Sequence, residues 1–233
     1  MATPGRSTGL WRRDPRSGWL VVAFGALAML ALVTLLAMSW RAFLPLDSAI
    51  SAAIRSTRNP FLNNTAGWAT WVGSLEFVLP ASLALAAWMI WRRNWAGVVY
   101  IFMTIGVGWV LGNYVLKNLI RRPRPLGVNI APMYYDYSMP SSHTLAAFLL
   151  FATFCVLVML NVPTGRHVKR WIAIASALII IAVGLSRVYL GVHWFGDVVG
   201  ACLFGGAWWL FTTACYFGSV TEERRATPRI SGG

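Results

Sequence analysis

Three short polar clusters interrupt an otherwise apolar chain of 233 residues. The first is Lys117-Asn118-Leu119-Ile120-Arg121-Arg122-Pro123-Arg124-Pro125, the second Pro140-Ser141-Ser142-His143, and the third Ser186-Arg187 followed by His193 and Asp197. Lys117, Arg124 and Arg187 are three cations, the donors that a phosphate ester and the charge on its equatorial oxygens in the transition state require. An arginine engages two phosphate oxygens at once, and a lysine adds a point charge. Ser141 stands where a helix N-cap would fall, so the backbone N–H groups that follow it form an anion cradle. His193 and Asp197 are four residues apart and share one helix face. A carboxylate there fixes the imidazole tautomer and leaves the other ring nitrogen able to attack phosphorus. His143 is a separate imidazole, suited to protonating a leaving oxygen.

The elements that must carry these clusters are membrane helices. Hydrophobic residues make up 58% of the chain and charged ones 12%, with a mean hydropathy of +0.61. A soluble domain needs a more polar surface. Residues 17–40, 66–91, 94–116, 144–162 and 171–190, and a sixth stretch ending near 217, are each long enough to cross a bilayer as a helix. The expected fold is all-α, a six-transmembrane-helix bundle, with tails at 1–16 and 219–233 flanking one membrane domain at 17–218. Leu46, Ile50, Ala53 and Ile54 repeat at helical spacing and predict a short interfacial helix in the first outer loop. Six spans put both termini on one side. That side receives 12 of the 20 basic residues, which places the tails in the cytoplasm and the three polar clusters at the extracytoplasmic face. The net charge of +13 then points to anionic lipid head groups and phosphate esters, not to nucleic acid. Cys155, Cys202 and Cys215 lie in apolar runs without metal-ligand spacing.

The ordered pattern K-x6-R-P, P-S-x-H and S-R-x5-H-x3-D resembles the signature of the type 2 phosphatidic acid phosphatase superfamily. The motifs run from Lys117 to Asp197, and the helix pattern extends the likeness over most of the chain. The resemblance implies a lipid phosphatase that forms a phosphohistidine at His193, with Asp197 as its partner and His143 as general acid. It assigns Lys117, Arg124, Ser141 and Arg187 to the phosphoryl group. The second motif usually reads P-S-G-H, and Ser142 stands here in place of glycine. Serine retains the backbone N–H used at that position, and its side chain bears on which substrates fit.

Other residues have two readings. Arg121 and Arg122 either contact a second phosphate or head group, or snorkel to the interface as helix-end arginines do. Glu76, the acid well inside the second span, either supports the site or packs against another helix's polar group. Asp136 and tyrosines 134, 135 and 137 either line an entrance or sit in a solvated loop. No cofactor and no metal are expected, because no carboxylate cluster lies near the motifs and three cations fill the role of a magnesium ion. The expected partner is a phosphorylated membrane lipid. The alternatives are a lipid phosphotransferase and a non-catalytic lipid-binding or transport protein. The second lacks the internal repeat common in transporters.

Overall fold

A computed structural model describes residues 15–132 and 136–226. The expectations for the tail arginines at 6, 12 and 13 and at 229, and for tyrosines 134 and 135, lie outside the described residues. Among the described residues every regular element is a helix. We label them α1 (Pro15–Met38), α2 (Trp40–Ser56), α3 (Pro60–Val72), α4 (Leu75–Trp91), α5 (Trp95–Ile120), α6 (Ser142–Asn161), α7 (Arg166–Tyr189) and α8 (Phe195–Ala226). Five are long and apolar enough to cross a membrane, and the bent pair α3–α4 makes a sixth span if counted as one. The chain is a multi-pass membrane protein. Apolar side chains such as Phe24, Leu35, Leu83 and Leu178 face outward, as they do where the surrounding solvent is hydrocarbon.

The second span departs from a straight helix. Residues 66–91 read as one run, but the chain bends by 41° between α3 and α4. Gly73 and Ser74 occupy the break, and a Cβ on Gly73 would meet the His143 carbonyl oxygen at 2.7 Å. The bend thus lets the second span press directly on the backbone at the start of α6. Asn59 and Pro60 explain where α3 begins. The Asn59 side chain accepts the Leu62 N–H at 2.9 Å, and proline occupies the first helical position.

Helix α5 contains two π-helical stretches, Phe102–Val107 and Leu111–Leu116, the second ending directly before Lys117. Such wider turns rotate the residues that follow and recur at functional sites. The core lies among α4, α5, α6 and α8, where Met89, Ile105, Leu145, Leu149, Leu157 and Phe204 are buried. Hydroxyl pairs knit α5 to α8, with Thr104 donating to Thr212 and Tyr100 meeting Thr213, both at 2.8 Å. Each such pair is worth on the order of 0.6 kcal/mol in a membrane bundle.

Helix α2 is the expected helix of the first loop, and it turns polar groups, not its apolar side, toward the bundle. Leu46 is 65% exposed and Ala53 is exposed, whereas Asp47 and Ser51 are buried. The physical reason is that a helix at a lipid interface need not hide its apolar side, so its few polar groups turn inward to find partners.

Candidate active site

The polar clusters converge at one end of the bundle. Lys117 sits in the last turn of α5, Ser141 caps α6, Arg187 ends α7, and His193 lies in the turn before α8. A cavity of about 540 Å³ opens there, lined by Arg124, Asp136, Ser142, His143, Arg187 and His193. Glu76 from the first turn of α4 lines it too, with Trp109, Asn113, Tyr114 and Asn118 from α5 completing the wall. Glu76 thus faces the cavity.

His193 is 1% exposed and held from both sides. Its Nδ1 lies 3.2 Å from Asp197 Oδ2, and its Nε2 lies 3.0 Å from Arg124 Nη1. A guanidinium only donates, so Nε2 is the acceptor and the proton sits on Nδ1, bonded to Asp197. Burial, reinforced by the positive charges of Arg124, Arg187 and Lys117, holds this imidazole well below the ordinary histidine pKa and therefore neutral. Asp197 is fully buried and accepts the Trp194 N–H at 2.9 Å, closing the first turn of α8 as a capping residue does.

The cations are fixed by the backbone around them. Arg124 donates through Nη1 to the Val192 carbonyl at 2.8 Å and through Nε to the Asp136 carbonyl at 3.0 Å. Arg187 donates to Thr70 Oγ1 at 2.6 Å, so the end of α3 orients it. Lys117, 2% exposed, pairs with the Asp136 carboxylate, which also accepts from Arg124 at 2.6 Å. Burial raises the Asp136 carboxyl, but the hydrogen bond and charge of Lys117 and the charge of Arg124 outweigh it and leave its pKa lowered. Asp136 thus lines the cavity half-exposed, and its carboxylate occupies two of the three cations.

Three expected residues sit differently from their sequence reading. Ser141 is fully buried, its N–H donating to the Asp197 carbonyl at 3.1 Å and its hydroxyl accepting from Thr144 at 3.0 Å. It joins α6 to α8 behind the cavity wall. Ser142 lines the cavity and its hydroxyl donates to Asn113 Oδ1, so the side chain that replaces glycine is tied to α5. Arg122 corrects both of its expected roles, because it neither snorkels nor faces a second phosphate. It is 2% exposed and pairs with Asp197 at 3.1 Å and with Asp47. A buried guanidinium is tolerated only with counter-charges, and the fold supplies two. Arg121 does reach the surface, at a left-handed helix end (φ 52°), donating to the Asn118 carbonyl at 2.9 Å.

Sequence reasoning missed Asp47 altogether and left Asp136 open. One signal was available. The chain has seven acids, of which Asp14, Glu222 and Glu223 lie toward its ends. The other four, Asp47, Glu76, Asp136 and Asp197, all line the cavity or bond to residues of the clusters.

The helical membrane bundle that carries this buried histidine–aspartate pair has its relatives among membrane phosphatases. Residues 96–220 match the PAP2 superfamily, and the chain belongs to it. It is 33% identical over 162 residues to phosphatidylglycerophosphatase B of Bacillus subtilis, covering 68% of this chain and 77% of that protein. It is 31% identical over 122 residues to undecaprenyl-diphosphatase of Sulfolobus acidocaldarius, covering 50% and 54%. The crystal structure of a transmembrane PAP2-type phosphatidylglycerolphosphate phosphatase from Bacillus subtilis superposes with a TM-score of 0.71 at 28% identity, over 86% of this chain and 96% of that one. LpxE of Aquifex aeolicus superposes with a TM-score of 0.55 at 24% identity, over 72% and 94%, and shares the fold.

Proposed function

We propose that this protein is a metal-independent lipid phosphatase of the cell membrane. In this reading it hydrolyses a phosphate monoester or diphosphate of the phosphatidic acid, phosphatidylglycerophosphate or polyprenyl diphosphate class, through a phosphohistidine. The observation that carries the reading is the buried His193, with Nδ1 on Asp197 and Nε2 turned to the guanidinium of Arg124 at the cavity. The names of the relatives, a phosphatidylglycerophosphatase and an undecaprenyl-diphosphatase, support the lipid phosphate class.

The chemistry follows from the residues. Arg124, Arg187 and Lys117 bind the phosphoryl oxygens, with the Ser142 N–H at the start of α6 as a further donor. The Nε2 lone pair of His193 forms a bond to phosphorus as the P–O ester bond breaks. The leaving oxygen takes the electron pair of the broken P–O bond and a proton from His143. Asp197 stabilises the positive charge that the phosphorylated imidazole carries. Water then attacks phosphorus, giving its proton to His143. The N–P bond breaks, its electron pair returns to Nε2, and inorganic phosphate leaves. No step requires a divalent ion.

Glu76, Asn113 and Asn118 line the cavity and suit head-group hydroxyls. Trp109 and Tyr114 give the lipid tail an apolar flank. The basic residues counted on either side of the spans favour cytoplasmic termini and an extracytoplasmic site. The test is phosphate release by the purified protein from a panel of lipid phosphates, in EDTA and without an acceptor lipid. Turnover under those conditions is the expected result. A requirement for a divalent ion refutes metal independence, and release only when an acceptor lipid is added identifies a phosphotransferase.

A further inference from the structure

Asp197 is shared between a guanidinium and an imidazole. One face of its carboxylate meets His193, while Oδ1 on the other face accepts from Arg122 at 3.1 Å and from Ser138 Oγ at 3.3 Å. The chain of charges continues through Arg122 to Asp47 Oδ2. The Arg122 guanidinium lies between two indoles, 5.4 Å from the ring centre of Trp40 and 5.6 Å from that of Trp194. Asp47 and its neighbour one turn on also cap α8 from outside. Asp47 Oδ1 accepts the Gly196 N–H at 2.9 Å, and Ser51 Oγ accepts the Phe195 N–H at 3.0 Å. With Trp194 N–H on Asp197, the first N–H groups of α8 all find partners. The approach is so close that a Cβ on Gly196 would stand 2.6 Å from Asp47 Oδ2 and 2.9 Å from Arg122 Nη1.

We propose that Asp47 is a positioning residue for phosphoryl transfer, acting through Arg122 on the Asp197–His193 pair. The inference rests on the function proposed above. A guanidinium this deeply buried must be neutralised. With Asp47 present, Arg122 has a counter-charge of its own, and the Asp197 charge remains available to His193. Without it, Arg122 draws on Asp197 alone. The carboxylate then pulls toward Arg122 and loses its hold on the Nδ1 proton at the moment His193 becomes cationic. Helix α2, which contributes no wall to the catalytic cavity, thereby sets the strength of the nucleophile.

The test uses the full chain purified in detergent, with p-nitrophenyl phosphate and a short-chain phosphatidic acid as substrates. Asp47→Asn is expected to lower kcat about 30-fold on both, roughly the worth of one charge-assisted hydrogen bond, with KM changed by no more than about twofold. The decisive variant is Asp47→Asn combined with Arg122→Met. It removes the unpaired cation and leaves Asp197 its bonds to Ser138, Trp194 and His193, so kcat should recover about tenfold over Asp47→Asn. A purely structural role makes the double variant no better than the single, and that result overturns the proposal, as does an Asp47→Asn protein with the kcat of wild type. His193→Ala separates the two levels. If it is inactive while Asp47→Asn is fully active, the positioning role alone fails. If it retains turnover, the nucleophile assignment fails and takes the positioning role with it.

Discussion

Replacing Asp136 should make the protein bind phosphate more tightly, an unusual outcome for a residue at the heart of a site. The Asp136 carboxylate bonds to Lys117 and to Arg124, two of the three cations proposed to hold the phosphoryl group. A substrate phosphate and this carboxylate compete for the same donors. A charge-assisted hydrogen bond is worth about 1.5–3 kcal/mol when buried, but the Asp136 side chain is 48% exposed, so solvent screening reduces the two together to about 1–2 kcal/mol. Asp136→Asn keeps the backbone carbonyl that fixes Arg124 Nε and removes the competing charge. Affinity for orthovanadate and for inorganic phosphate should therefore rise about 5- to 30-fold. The assay is competitive inhibition of p-nitrophenyl phosphate turnover, with KM for a short-chain phosphatidic acid measured alongside. A fall in KM of the same order is expected, with kcat unchanged or reduced as product phosphate leaves more slowly. If the variant binds vanadate no better or worse than wild type, Asp136 serves to hold Lys117 and Arg124 in place, and the competition argument is wrong.

Three further outcomes follow from the same geometry. His193→Ala should be inactive on lipids and on an aryl phosphate alike. His143→Ala should be inactive on lipids yet still accept a phosphoryl group from the aryl phosphate, giving an acid-labile label that mass spectrometry maps to His193; a label on His143 reverses the two roles. Because burial and the neighbouring cations lower the His193 pKa, its lone pair persists as pH falls through the ordinary histidine value of about 6.5. The acid limb of kcat/KM on the aryl phosphate, corrected for the substrate's own ionisation, should thus lie below about pH 6.5; a limb at or above that value contradicts the neutral buried imidazole. Single cysteines replacing Asn59 or Val128 in a cysteine-free background should react with an impermeant thiol reagent in intact cells, and those replacing Arg166 or Ala226 should not; the reverse pattern inverts the orientation.

Much of the candidate site was legible because its residues sit at fixed offsets from helix ends. Lys117, His143 and Arg187 each fall within a turn of a span's terminus, so apolar run length alone put them at a common depth. The His193–Asp197 contact was readable for the same reason, as a local i, i+4 relation. Arg122 and Arg124, by contrast, are two residues apart in an irregular segment, and no periodicity says which of them faces the cavity. The structure turns Arg124 toward His193 and Arg122 away, toward Asp47.

By itself the sequence determined the class of solvent, the all-α architecture and the candidate residues for the proposed chemistry, since apolar length and local spacing are properties of a single segment. Tertiary structure alone decided the break at Gly73, the occupation of Lys117 and Arg124 by Asp136, and the charge chain from Asp47 to His193. The ion pairs that join separate segments here lie 12 to 75 positions apart. A lone carboxylate such as Asp47 carries no mark of the cation it will meet. Only the packing of α2 against α8, driven by buried polar groups seeking partners where lipid offers none, brings the two together.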